Sequence, residues 1–153
     1  MGKAPKKTQK IKERLNKHLE MLDKLAAINM EILHVYGTLR SPSFSGMPGG
    51  GDHRTSEEER LFQRKAELEQ KAERQQEAID RDWSELEPLV ETLQPFEMLV
   101  INLRYRYGSE WEDVWREIFG KRSDYEMKID KYSDKVYKAH SRALLALAKM
   151  ISK

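Results

Sequence analysis

The sequence predicts an all-α protein in two parts: a long N-terminal helical hairpin or coiled coil over residues 1–87, and a unit of shorter, capped helices over residues 84–153. Three observations carry this reading. Apolar residues recur at steps of three and four through the long N-terminal segments, the period of an α-helix rather than a strand. Charged residues make up 35% of the 153 positions, against a typical ~25%, as extended solvated helix faces require. From Ser84 onward, helix start and stop signals recur every few residues.

The first helix is expected from about Thr8 to Arg40. Its stripe is Ile11, Leu15, Leu19, Leu22, Leu25, Ile28, Ile32, Val35 and Leu39, one face of an amphipathic helix. Gly37 and the Arg40-Ser41-Pro42 step end it, because the residue before proline avoids helical geometry. Residues 41–54, SPSFSGMPGGGDHR, hold two prolines and four glycines and predict a mobile loop anchored only by Phe44 and Met47. A second helix is expected from Thr55 to Glu87, with Thr55 or Ser56 as cap and Glu57, Glu58 and Glu59 at its positive end. Its stripe is Leu61, Lys65, Leu68, Ala72, Gln75, Ile79, Trp83 and Leu86, heptad-like but polar at Lys65 and Gln75. Two helices of equal span, each about 50 Å long at 1.5 Å per residue, joined by a Gly/Pro loop, suit a side-by-side pair.

Four shorter segments follow. Ser84 and Glu87 read as an S-x-x-E capping box ahead of Leu86, Leu89, Val90 and Leu93. Pro95 opens FEMLVINLRYRY, which Gly108 closes. Ser109 and Glu112 read as a second box for EWEDVWREIF, closed by Gly120, and Ser123 with Glu126 as a third. After the Tyr132-Ser133 step comes a final helix with a stripe of Val136, His140, Ala143 or Leu144, Leu147, and Met150 or Ile151.

Composition removes several function classes. Cysteine is absent, which excludes disulfides, thiolate catalysis and cysteine-ligated zinc. Four scattered histidines show no HxxxH or HExxH spacing, so no metal or other cofactor is expected. The triple glycine at 49–51 lacks the GK[ST] of a phosphate-binding loop, and no nucleophile–base–orienter set is visible, so an enzyme is not expected. No apolar run reaches 18 residues, and the basic start MGKAPKKTQKIKER has no apolar region after it. The expectation is a soluble, cytoplasmic protein without a membrane partner.

The net charge of +2 conceals an uneven distribution. Residues 1–17 carry seven basic side chains against Glu13, residues 18–120 carry twelve basic and 21 acidic, and residues 121–153 carry nine basic and four acidic. Basic ends around an acidic middle let either end meet an anion such as nucleic acid, although charge runs are commonly no more than solvated faces. Short capped helices followed by a longer basic one make the pattern of a helix-turn-helix unit, in which a bracing helix holds a second helix in the major groove. On that reading the DNA-contacting residues are Lys131, Ser133, Lys135, Tyr137, Lys138, Ser141 and Arg142 of the final helix, with Lys121 and Arg122 just before it.

These residues also resemble a family. LEPLVETLQPFEMLVINLRYRYGSEWEDVWREIFG, with its LRYxxG and W-x-D-V elements, is similar to the sigma-factor region-4-like domain of small phage transcriptional regulators. KYSDKVYKAHSRALLAL resembles that family's last helix, and SPSFSGMPGGG resembles a segment found upstream in many members, so the likeness spans roughly residues 41–147. The family resembled is that of late-gene activators of the RinA and ArpU type. The resemblance implies a DNA-binding activator at phage packaging and morphogenesis promoters, with double-stranded DNA and host RNA polymerase as partners; the helical hairpin, for its part, suggests a homo-oligomer, a dimer first. The ten residues KRSDYEMKID between Gly120 and Lys131 depart from the family's short turn and blur the start of the recognition helix.

Plainer roles are expected elsewhere. Trp111, Val114, Trp115, Ile118 and Phe119 are core residues by spacing, and His140 on the apolar side of its helix is a hydrogen-bonded packing residue. Arg104 and Arg106 fit either a phosphate contact or an internal ion pair, and the lysines of residues 3–17 fit a solvated helix start first and a phosphate contact second. Two other function classes fit the same residues: a DNA-packaging protein of the small-terminase type, and a phage protein that inhibits a host complex without binding DNA.

Overall fold

The computed structural model describes residues 6–39 and 51–151. It is all-α: α1 (Lys6–Leu39), α2 (Gly51–Val90), α3 (Pro95–Ile101), a π-helical turn (Asn102–Arg106), α4 (Trp111–Phe119) and α5 (Ile129–Ile151). The chain divides into two compact units, one of residues 1–20 with 81–153 and one of residues 21–80. This is not the division at residues 84–87 that the sequence suggests. The reason is packing: Ile11 and Leu15 of α1 and Trp83 of α2 are buried in one cluster with Leu86, Val90, Ile101, Tyr105, Leu144 and Leu147.

Several boundaries also differ from expectation. The loop expected over 41–54 lies, for residues 41–50, outside the described residues, whereas residues 51–54 are helical. Glu57, Glu58 and Glu59 therefore sit more than one turn inside α2. The capping box at Ser84 does not start a helix. Ser84 Oγ donates to the Arg81 carbonyl at 2.7 Å, a back-bond that a serine makes inside a continuing helix. α2 even accommodates Pro88, which cannot donate to the Ser84 carbonyl, and stops two residues later. α2 is thus 40 residues long against 34 for α1. The second box fails too: Glu110, not Ser109, is the N-cap of α4, and no side chain caps it. The third, at Ser123, falls in a series of turns, and α5 begins at Ile129 and runs straight through Tyr132-Ser133.

In the unit of residues 21–80, α1 and α2 run antiparallel around Ile28, Val35 and Leu68, flanked by Ile32, Leu39, Leu61 and Ala72. The two polar positions in the α2 stripe have partners: Gln75 Nε2 donates to the Met21 carbonyl at 3.0 Å, and Lys65 pairs with Glu69 and lies 5.6 Å from the Tyr36 ring. Arg64 bridges to Glu31 at 3.1 Å. Met30, Leu33 and Phe62 stay 67%, 64% and 59% exposed.

In the unit of residues 1–20 and 81–153, a second cluster adjoins the first: Val100, Val114, Phe119, Tyr132, Val136 and Ala139, with Trp111, Trp115 and Ile118 half-buried against it. α5 supplies residues to both clusters and is the central support of the unit. Gly108, at φ 70°, turns the chain from the π-helical segment into α4, a backbone state that glycine adopts without strain. Near the other end of the unit, Asp82 accepts from Arg14 at 3.0 Å and from His18 Nδ1 at 2.6 Å. Burial opposes ionisation of Asp82, but these two donors outweigh it and hold the carboxyl below its ordinary value.

Candidate nucleic-acid interface

α5 is a 23-residue amphipathic helix because apolar residues fall every third or fourth position from Tyr132 to Ala148. Tyr132, Val136, Ala139, His140, Ala143, Leu144, Leu147 and Ala148 are buried; Lys131, Lys135, Lys138, Ser141 and Arg142 are exposed. The helix is therefore anchored along one side and offers a cationic strip on the other.

The environment of each expected DNA-facing residue is more specific than that. Lys138 Nζ pairs with Asp134 at 3.0 Å, one turn back on the same helix. Arg142 Nε donates to Glu97 of α3 at 3.2 Å. Lys135 Nζ lies 5.9 Å from the Tyr132 ring and makes no ion pair among the described residues. Ser133 Oγ donates to the Asp130 carbonyl at 3.0 Å. Tyr137 is half-exposed and leans on Trp111 and Trp115 of α4, with ring centroids 5.1 and 5.6 Å away, so one face of its ring is committed to packing.

The segment between α4 and α5 is a run of turns. Arg122 N–H donates to the Phe119 carbonyl, Tyr125 N–H to Arg122, and Lys128 N–H to Asp124. The hydroxyl of Tyr132 donates to Asp124 at 2.6 Å, which holds the Asp124 carboxyl low and pushes the Tyr132 phenol up. Arg122 stacks its guanidinium 5.4 Å from Phe119 and 5.7 Å from Tyr132, and Lys121 is exposed beside it. These turns lead directly into the first turns of α5.

Behind the strip lies a polar core. Tyr105 Oη and His140 Nε2 are 2.7 Å apart, and the two rings stack. Burial, with Lys12 and Arg104 nearby, lowers the His140 pKa to about 4, so its imidazole is neutral at physiological pH. Burial likewise pushes the Tyr105 phenol up to about 12. Arg104 donates to the Ser109 carbonyl at 2.9 Å and lies 5.1 Å from the Trp111 ring, which meets His140 edge-on. Arg104 is held internally, chiefly by that carbonyl and ring, while the ion pair expected for it is a long 4.0 Å contact to the exposed Glu110. Arg106 reaches Glu87 at 3.8 Å.

Sequence reasoning missed the carboxylates that face these cations. Asp134 carried a signal, lying four residues before Lys138 on one helix; Glu97 carried none, being 45 residues from Arg142. Among the described residues, no group of three or more metal-ligating side chains converges, and no helix is long and apolar enough to cross a membrane. Compared with protein-family models, curated proteins and solved structures, the chain gives no match.

Proposed function

We propose that this chain is a phage or prophage transcriptional regulator that grips duplex DNA through the outer strip of α5 and activates late genes from promoter DNA. One observation supports the DNA reading above others: Val136, Ala139, Ala143 and Leu147 are buried on one side of α5, while Lys131, Lys135, Lys138, Ser141 and Arg142 are exposed on the other. A recognition helix needs that division, because its apolar side must be held rigidly while cations and hydroxyls reach phosphates and base edges. The promoter role and a contact with host RNA polymerase come from the resemblance to sigma-region-4-like regulators. Dimerisation through the unit of residues 21–80 completes the proposal. Met30, Leu33 and Phe62 are unusually exposed there, and a dimer would pair two recognition helices on two half-sites. Footprinting of the purified protein on the parent phage genome tests the reading and names the target; protection of a discrete site upstream of late genes is the expected result.

A specific observation favours a second reading, an interaction protein without DNA affinity. Two of the strip's cations already face carboxylates, and a groove is lined by Glu112, Trp115, Arg116, Tyr125, Glu126 and Ile129, apolar rings among mixed charges. On that reading, duplex DNA is not retained even at low salt.

A further inference from the structure

The charge of the DNA-binding unit does not come from its C-terminal helices. Residues 81–153 carry thirteen basic and thirteen acidic side chains and are neutral; residues 1–20 carry seven basic and two acidic. The unit's net charge of +5 therefore resides entirely in the twenty residues that open the chain. A neutral surface has little long-range attraction for a polyanion. The unit of residues 21–80, with eight basic and eleven acidic side chains, adds none.

The fold brings those N-terminal cations to α5. Ile11 and Leu15 are buried in the same cluster as Ala143, Leu144, Leu147 and Ala148, so the first turns of α1 lie against the C-terminal half of α5. Lys7 shares a groove with Leu145, Ala148 and Lys149. Lys12, one to two turns further along α1, lies near His140 on the buried side of α5 and so belongs with the core rather than with the strip. Lys7 forms no ion pair among the described residues, unlike Lys138 and Arg142. Lys10 and Lys17 line a different groove, with Glu13 and Glu85.

We infer that Lys7 of α1 extends the α5 strip at its C-terminal end into one continuous phosphate-binding surface for the backbone of duplex DNA. This rests on the DNA-binding reading above and adds a second element to it. α5 alone would supply cations that its neighbouring carboxylates partly offset, and the N-terminal lysines supply the excess positive charge. In that arrangement α5 sets register and base recognition, while α1 contributes affinity that does not depend on sequence.

The test uses the full chain, its fold checked by circular dichroism, and titrates a fluorescent duplex carrying the protected site and a scrambled duplex over 50–300 mM salt. Removing one cation that neutralises a phosphate lowers the slope of log affinity against log salt by about 0.9. Lys7→Gln should lower that slope by about 1 and weaken both duplexes alike, while Lys10→Gln/Lys17→Gln should leave it unchanged. A normal slope for Lys7→Gln, alongside a reduced slope for Lys131→Gln/Lys135→Gln, overturns the α1 contribution and leaves the α5 interface standing. An equal reduction in the Lys10/Lys17 pair shows general charge attraction and also overturns it. No binding by the unaltered protein at 50 mM salt overturns the DNA-binding reading itself, and the α1 assignment with it.

Discussion

Arg142 on α5 donates to Glu97 on α3, a carboxylate only 13% exposed, while the arginine is 58% exposed. The pair ties the outer strip of α5 to the neighbouring helix. It also holds in reserve a cation that would otherwise point at solvent. Glu97→Gln should release Arg142 and remove a negative charge beside the strip. The expected outcome is tighter binding to any duplex and a salt slope steeper by about 1, with a stability loss of about 1 kcal/mol or less because the arginine end of the pair is more than half exposed. Unchanged binding would mean that Arg142 takes no part in the interface.

Stability should depend on pH through His140. Its pKa is lowered to about 4 in the folded chain against about 6.5 when unfolded, so between these values the unfolded state holds more protons. Stability then rises as pH increases from 4 to 6.5 and is fully present above that window; it is lost as pH falls through it, by at most about 3 kcal/mol. Urea midpoints from pH 4 to 7.5 measure this. His140→Phe keeps a ring between Tyr105 and Trp111, and should flatten the dependence while costing about 1–3 kcal/mol at pH 7 from the unpaired Tyr105 hydroxyl. An unaltered pH profile in that variant would assign the effect to other groups.

Gly120 ends α4 for a steric reason. A Cβ there would sit 2.3 Å from the Arg116 carbonyl oxygen, backbone that cannot swing aside as a side-chain tip would. Gly120→Ala should lower stability by roughly 1–3 kcal/mol, read as a lower thermal midpoint. A wild-type midpoint would show that the turn relaxes freely.

A fragment of residues 84–153 is expected to lose its cooperative fold. It lacks Ile11, Leu15 and Trp83, which are 1%, 0% and 5% exposed and share a cluster with Leu86, Leu144 and Leu147. Each of these large-to-nothing deletions costs about 2–5 kcal/mol, and together they exceed what a small domain has to lose. Circular dichroism and urea titration of the fragment check this; a sharp unfolding transition would restore the boundary that the sequence suggested. Within the full chain, Leu15→Ala should cost about 2–5 kcal/mol on the same grounds.

The sequence made the helical period legible and left the long-range pairing hidden. The α1 stripe was readable because burial in a two-helix layer repeats every three or four residues: Ile11, Leu15, Ile28 and Val35 are buried, and Leu19, Leu22, Leu25, Ile32 and Leu39 half-buried. The outward strip of α5 was readable for the same reason. Start signals misled where a serine had another local use: Ser84 bonds back to Arg81 within α2, and the Ser109 carbonyl receives Arg104. S-x-x-E marks a helix start only when the backbone before it is free to leave helical geometry, and Trp83 and Leu86, buried side by side in one cluster, keep α2 intact there. Nothing local could reveal that α1 opens against α5, since that packing joins the two ends of the chain.

The π-helical turn from Asn102 to Arg106 acts as a phase shifter. It widens the helix by one residue per turn, so that Val100, Ile101 and Tyr105 all reach the interior, while Arg104 turns toward Trp111 and Arg106 toward Trp83. Removing a single residue from this stretch would restore the ordinary period and swing the side chains that follow it in the same helix, as far as Tyr107, by about 100° about the helix axis. Tyr105 would then point away from His140, and the two arginines would exchange their tryptophans for water. Length changes at this point cost more than its modest five-residue extent suggests, because those five residues aim Tyr105, Arg104 and Arg106 at His140, Trp111 and Trp83.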